Sequence, residues 1–110
     1  DKSFLKEVLS DFAEELTGVL LEESLFAKTI TVKVKTEDFK THTRSRTLKD
    51  YTNELEEIRE IAFDILDNYK IDQGIRLIGL SLSNFTNIRY EQISLFDWVK
   101  IKAKEEEKNG

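Results

Sequence analysis

The apolar period of this chain switches from three-and-four to two near residue 28 and back again near residue 52. Over residues 4–25, Phe4, Leu5, Val8, Leu9, Phe12, Leu16, Val19 and Leu20 form the wide stripe of an amphipathic helix. Glu7, Asp11, Glu14, Glu15 and Glu22 fall mostly off that stripe. Asp1 or Ser3 is placed to cap its start, and Gly18 marks a candidate bend. Residues 28–35 then alternate strictly, with Ile30, Val32 and Val34 on one face and Thr29, Thr31, Lys33 and Lys35 on the other. That is the pattern of a half-buried strand. Residues 36–39 suit a turn, and residues 40–48 a second strand folded back as a hairpin. Its Lys40, His42, Arg44 and Arg46 fall on one side, and Thr41, Thr43, Ser45 and Thr47 on the other.

Helical period returns over residues 52–70 through Leu55, Ile58, Ala62, Ile65, Leu66 and Tyr69. Thr52 or Asn53 is the expected N-cap, and Asn53 with Glu56 has capping-box spacing. Gln73 and Gly74 turn the chain into a third alternating run, residues 75–83, with Ile78, Leu80 and Leu82 sharing a face. The order helix, strand, strand, helix, strand predicts an α+β fold, an antiparallel sheet with two helices on one face. The opposite face is expected to carry Lys33, Lys35 and the basic side of the second strand, and to stay open.

A chain of 110 residues, 39% apolar and 35% charged, fits one domain with one core. No window approaches the ~20 consecutive apolar residues of a membrane span, and the start lacks a signal-peptide pattern. Without cysteine there is no disulfide, thiolate metal site or cysteine nucleophile, and a cytoplasmic location is the simpler expectation. A start at Asp1 with no methionine anywhere reads as a fragment or a processed chain. The net charge of -5 is unevenly distributed. Residues 1–25 sum to -5 and residues 50–72 to -6, while residues 28–49 hold seven bases against Glu37 and Asp38. Overall charge argues against nonspecific polyanion binding; the basic strip argues for a local anionic partner.

Catalytic chemistry is hard to find. His42 is the single histidine and has no cysteine with which to build a recognised metal site. Glu56, Glu57, Glu60, Asp64 and Asp67 have the spacing of a solvated helix face rather than of carboxylates converging on a metal. Neither a Gly-rich phosphate loop nor a nucleophile–base pair is present. The basic strip itself has two readings, a phosphate-binding face or an ordinary solvated sheet face. Near the end, Gln92, Ile93, Ser94, Leu95 and Phe96 set an amide beside apolar anchors in a segment without clear period. Such anchors either dock on a partner or cap the domain's own core. Residues 99–110 read as a charged, frayed or disordered tail.

Three stretches taken together resemble the little finger domain of Y-family DNA polymerases, of the DNA polymerase IV (DinB-like) type. They are ITVKVKTEDFKTHTRSRTL at residues 30–48, IRLIGLSLSNF at residues 75–85, and QISLF at residues 92–96. The resemblance runs over about residues 3–96 and implies a non-catalytic domain whose sheet lies along the duplex major groove. It implies DNA contacts from Lys33, Lys35, Lys40, His42, Thr43, Arg44, Ser45, Arg46, Gly79 and Ser81. It also implies that Gln92, Ile93, Ser94, Leu95 and Phe96 bind a sliding clamp. The partners so implied are primer–template DNA and the clamp, with no membrane. The domain would occupy residues 1–86, the clamp segment residues 87–98 and the tail residues 99–110. No cofactor is expected for this chain; the parent would be a translesion nucleotidyltransferase using Mg²⁺ on another domain. The family unit begins with one further strand at the sheet edge beside residues 75–83, so the resemblance also raises two substitutes for it: edge-to-edge pairing of two copies, or residues 87–95 folding back as a surrogate strand. The rival class is a clamp-binding adaptor whose basic face is incidental.

Overall fold

The computed structural model describes residues 2–70 and 73–87 of the chain. In order these form α1 (Lys2–Glu22), β1 (Phe26–Thr36), β2 (Thr41–Thr52), α2 (Leu55–Asp67) and β3 (Ile75–Thr86). The strands make one antiparallel sheet of order β2-β1-β3, and both helices pack on one of its faces. This is the α+β arrangement that the two periods predict. The expected clamp segment at residues 92–96 and the tail lie outside the described residues.

The core is where the predicted stripes meet, except that on α1 Ala13 joins it while Phe4 (61% exposed) and Val19 (48% exposed) stay outside. Leu9, Ala13 and Leu20 of α1 and Ile58, Ala62, Ile65 and Leu66 of α2 are buried with Ile30, Val32 and Val34 of β1. Ile78, Leu80 and Leu82 of β3 pack against this cluster but are only partly buried, because β3 has β1 on one side and, among the described residues, no strand on the other.

Several element ends differ from expectation, each for a local reason. The first helix starts earlier and stops at Glu22, running without interruption through Gly18. Ser24 adopts φ 54°, and the N–H groups of Ser24 and Leu25 donate to the carbonyls of Leu21 (3.3 Å) and Leu20 (2.8 Å). This pair of bonds is a Schellman closure, with serine standing in the left-handed position usually given to glycine. At α2 the expected capping box is absent: the cap is Glu54, without a side-chain bond. β2 runs on to Thr52, and the hydroxyl of that buried residue accepts from the Glu54 N–H at 3.1 Å. The hydroxyl thus closes a turn ahead of the helix rather than capping it. Where Ala27 and Thr29 of β1 face Thr52 and Thr47, β2 spends five residues against two, a large bulge that lengthens it past residue 48.

The turn at residues 36–39 forms as predicted and is closely tied. The Phe39 N–H donates to the Thr36 carbonyl at 2.9 Å, and the Thr36 N–H to the Lys40 carbonyl at 3.0 Å. The Thr36 hydroxyl donates to the Asp38 carboxylate, and Lys40 stands 3.7 Å from its other oxygen. That hydroxyl, more than Lys40, holds the Asp38 carboxyl below its ordinary value. The stabilisation it adds is therefore present above the usual carboxylate range and is lost as pH falls through the lowered value.

The pairing register corrects one expectation outright. Arg46 lies opposite Ile30, Arg44 opposite Val32 and His42 opposite Val34. Residues directly opposite in a ladder share a face, so these three bases point to the helix side, away from Lys33 and Lys35. The expected single basic face does not exist. Alternation sorts each strand into two sides but leaves open which side of β2 joins which side of β1; closing the turn at residues 36–39 decides it.

Candidate nucleic-acid interface

The face of the sheet away from the helices is built from four cross-strand rows. The register sets Thr41, Lys35 and Leu77 side by side, then Thr43, Lys33 and Gly79, then Ser45, Thr31 and Ser81, then Thr47, Thr29 and Ser83. Apart from the two lysines and Leu77, every side chain in those rows is small, and most are hydroxyls. The hydroxyls bond across the strands, Thr31 with Ser45 at 2.7 Å and Thr29 with Thr47 at 3.0 Å, and the Asn84 amide donates to Thr29 at 2.6 Å. This pins them low and leaves a flat surface from which Lys33 and Lys35 rise. A Cβ added at Gly79 would meet nothing within 4 Å. Glycine there serves no internal contact, and its effect is to leave the surface beside Lys33 open to a close-approaching backbone.

Of the expected DNA-binding residues, the structure brings Lys33, Lys35, Thr43, Ser45, Gly79 and Ser81 together on this face. Lys40 sits in the turn beside Asp38. His42, Arg44 and Arg46 stand on the helix side of edge strand β2. There Arg46 reaches Asp64 of α2 at 2.6 Å, and the Arg44 guanidinium lies 5.2 Å from the Tyr69 ring centre. Arg44, Ser45, Arg46, Ile65 and Asn68 line an open cleft along that edge. The Tyr69 hydroxyl donates to the carbonyls of Val32 (2.6 Å) and His42 (3.2 Å), pinning β1 and β2 beneath the arginines. Burial raises the Tyr69 phenol above its ordinary value, so it stays protonated and keeps donating. The cations thus fall in two places, a lysine pair on the flat face and an arginine pair along one edge.

Two residues outside the expected DNA-binding set stand at the end of this sheet. Phe39 is 59% exposed at the turn with φ 63°, a left-handed conformation that costs a bulky residue about 1–3 kcal/mol. Arg76 falls at a register shift, where Thr36 faces Ile75 and Lys35 faces Leu77. This extra residue of β3 puts its guanidinium 4.5 Å from the Phe39 ring centre. An aromatic inside the turn segment TEDFK was the only signal available for the first; alternation puts the second on the face of Ile78 and Leu80 unless it sits at the strand's start, which is where the register shift falls.

Among the described residues, no group of three or more His, Cys, Asp or Glu side chains is close enough to hold a metal ion. Likewise, none of the described helices is long and apolar enough to cross a membrane.

The described residues thus form a three-stranded sheet with both helices on one face and an open face of hydroxyls and lysines. Residues 1–95 match the model of the impB/mucB/samB family C-terminal domain, and the chain belongs to that family. It is 33% identical over 102 residues to the DNA polymerase IV of Clostridioides difficile (strain 630), covering 90% of this chain and 28% of that protein. It is 39% identical over 83 residues to the DNA polymerase IV of Methanoculleus marisnigri, covering 76% and 23%. A third, the DNA polymerase IV of Listeria monocytogenes serotype 4a, is 33% identical over 96 residues, covering 86% and 27%. The chain therefore spans about a quarter of the length of these curated relatives.

Proposed function

We propose that this chain is the non-catalytic, DNA-gripping domain of a translesion polymerase of the Y family, holding duplex backbone against its open sheet face. The observation that carries the reading is the flat face itself: Lys33 and Lys35 flanked by Thr43, Ser45, Gly79 and Ser81, with no bulky side chain between the lysines and the β3 edge in the Lys33 and Thr31 rows. Phosphate contacts of this kind position a duplex without reading its sequence. Arg44 and Arg46, along the β2 edge, are placed for the second backbone, although Arg46 must first leave Asp64. That ion pair is also what favours the rival reading, an adaptor domain whose cations are structural.

Fluorescence anisotropy with unrelated duplex sequences separates the two. Binding should tolerate sequence, and log affinity should fall against log salt with a slope near -4 for four or five neutralised phosphates. A salt-independent or undetectable interaction would leave only the adaptor.

The partner of residues 92–96 is proposed to be a sliding clamp, with Gln92 at the pocket rim, Ser94 in the linking backbone and Ile93, Leu95 and Phe96 as anchors. Truncation after Tyr90 should abolish clamp binding in a pull-down and leave duplex affinity unchanged; a truncated chain that still binds clamp removes the pentapeptide from the account. Among the described residues, no strand lies along the outer side of β3. Its twelve residues include no lysine or proline to deter pairing, so two copies are proposed to associate through it. A sedimentation coefficient that stays constant as concentration rises would contradict this.

A further inference from the structure

The end of the sheet beside the hairpin turn differs in kind from the flat face. Phe39 and Leu77 are each 59% exposed, on a surface otherwise made of hydroxyls and cations. Leu77 lines a shallow depression of about 350 Å³ with Lys33, Lys35, Thr41, Ile78 and Gly79. Lys35 joins that depression to the turn, its ammonium 5.4 Å from the Phe39 ring centre, while Arg76 approaches the same ring at 4.5 Å. Exposed apolar surface interleaved with cations matches a nucleotide that is not base-paired: a π face to stack and a phosphate to neutralise. Within a duplex the base faces are buried in the stack, so the exposed ring has no base face to meet there.

The turn also holds Phe39 in a way that serves the ring. The residue keeps a left-handed backbone that glycine would adopt without strain. The Phe39 N–H bond to the Thr36 carbonyl closes the turn, and the Glu37 N–H bond to the carbonyl of Gly74, just ahead of β3, ties it down, both at 2.9 Å. The ring is therefore presented by a braced turn, and the bulge in β3 supplies Arg76 beside it.

We infer that Phe39, Lys35, Arg76 and Leu77 form a platform for an unpaired nucleotide of single-stranded DNA, at the end of the duplex-binding face. The base stacks on Phe39 and against Leu77, and its phosphates meet Lys35 and Arg76. This rests on the DNA-binding reading above but requires something that reading does not, a contact to a base that is out of the helix.

The test titrates the 110-residue chain against a blunt duplex, the same duplex with a short single-stranded overhang, the overhang with its bases removed as abasic sites, and the overhang strand alone. The base-bearing overhang should bind tighter than the blunt duplex by about five- to a hundredfold, the range expected for one stacked base. Phe39→Gly, which suits the φ of 63° and preserves the turn, should erase that preference and leave the blunt affinity in place. Phe39→Trp should restore it, Arg76→Ala should reduce it, and abasic sites should reproduce the glycine result. An overhang preference that survives Phe39→Gly, or one equally strong with abasic sites, overturns the platform. So does a parallel fall in blunt and overhang binding, which would make Phe39 a brace for the sheet. Loss on Phe39→Gly of binding to an acidic aromatic peptide, with overhang binding unaffected, would assign the platform to a protein and also overturn the inference. Failure of the wild-type chain to bind blunt duplex would count against the duplex reading alone, because the free overhang strand still reads the platform.

Discussion

Lys33→Glu combined with Lys35→Glu lowers affinity for duplex DNA on the order of a hundredfold, about tenfold for each phosphate left without its lysine. The two lysines stand two residues apart on the central strand, above a floor of short side chains. Among the described residues, the four cross-strand rows of that face hold no other charged side chain. The salt slope falls with them, by about one for each phosphate released. Stability should fall only modestly: Lys33 is exposed and, among the described residues, in no ion pair, and half-buried Lys35 gives up only its approach to the exposed Phe39 ring at 5.4 Å. Asp64→Asn should shift affinity the other way, since it frees Arg46 from the 2.6 Å ion pair that holds it to α2. The same anisotropy titration reads both variants. Unchanged binding in the double lysine variant would take the interface off this face, and a gain in Asp64→Asn alone would move it to the β2 edge.

The second large effect is on folding. Ile58 has no exposed surface and sits in the cluster that joins α1, α2 and β1. Ile58→Ala removes buried methyl groups and leaves a cavity, at a cost of about 2–5 kcal/mol. Against a total stability of about 5–15 kcal/mol, that is a sizeable share. A chain of this length should lose roughly 8–40 °C of Tm, at about 4–8 °C for each kcal/mol. Val19→Ala on α1 is the control: Val19 is 48% exposed, so its truncation should change stability by about 0.5 kcal/mol or less. Thermal unfolding by circular dichroism measures both. Equal losses in the two variants would mean that the helix stripes do not meet the sheet as described.

Most of the fold was legible because burial imposes a period. Val8, Leu9, Phe12 and Leu16 could only be a helix face, and Ile30, Val32 and Val34 only a strand face, whatever surrounds them. The element ends were less legible. At Ser24 a serine takes the left-handed place usually given to glycine, and the Thr52 hydroxyl closes the turn before the helix, while Glu54 takes the cap position expected of Thr52 or Asn53. Both are contacts between neighbours that propensity ranks poorly.

The candidate site divides along the same line. Residue pattern alone determined the α+β order, the segregation of charge into a basic hairpin between acidic helices, and the three stretches that resemble the polymerase domain. It also placed Ile78, Leu80 and Leu82 on the core side, because an apolar face has one place to go. Which side Arg44 and Arg46 take was decided only in the folded hairpin. Both faces of β2 are polar, so burial expresses no preference between them, and the register set by the turn at residues 36–39 makes the choice. The position of Arg76 was likewise decided by tertiary structure. A bulge adds one residue to β3 against β1, and a single added residue changes where a side chain points without changing anything that alternation can detect.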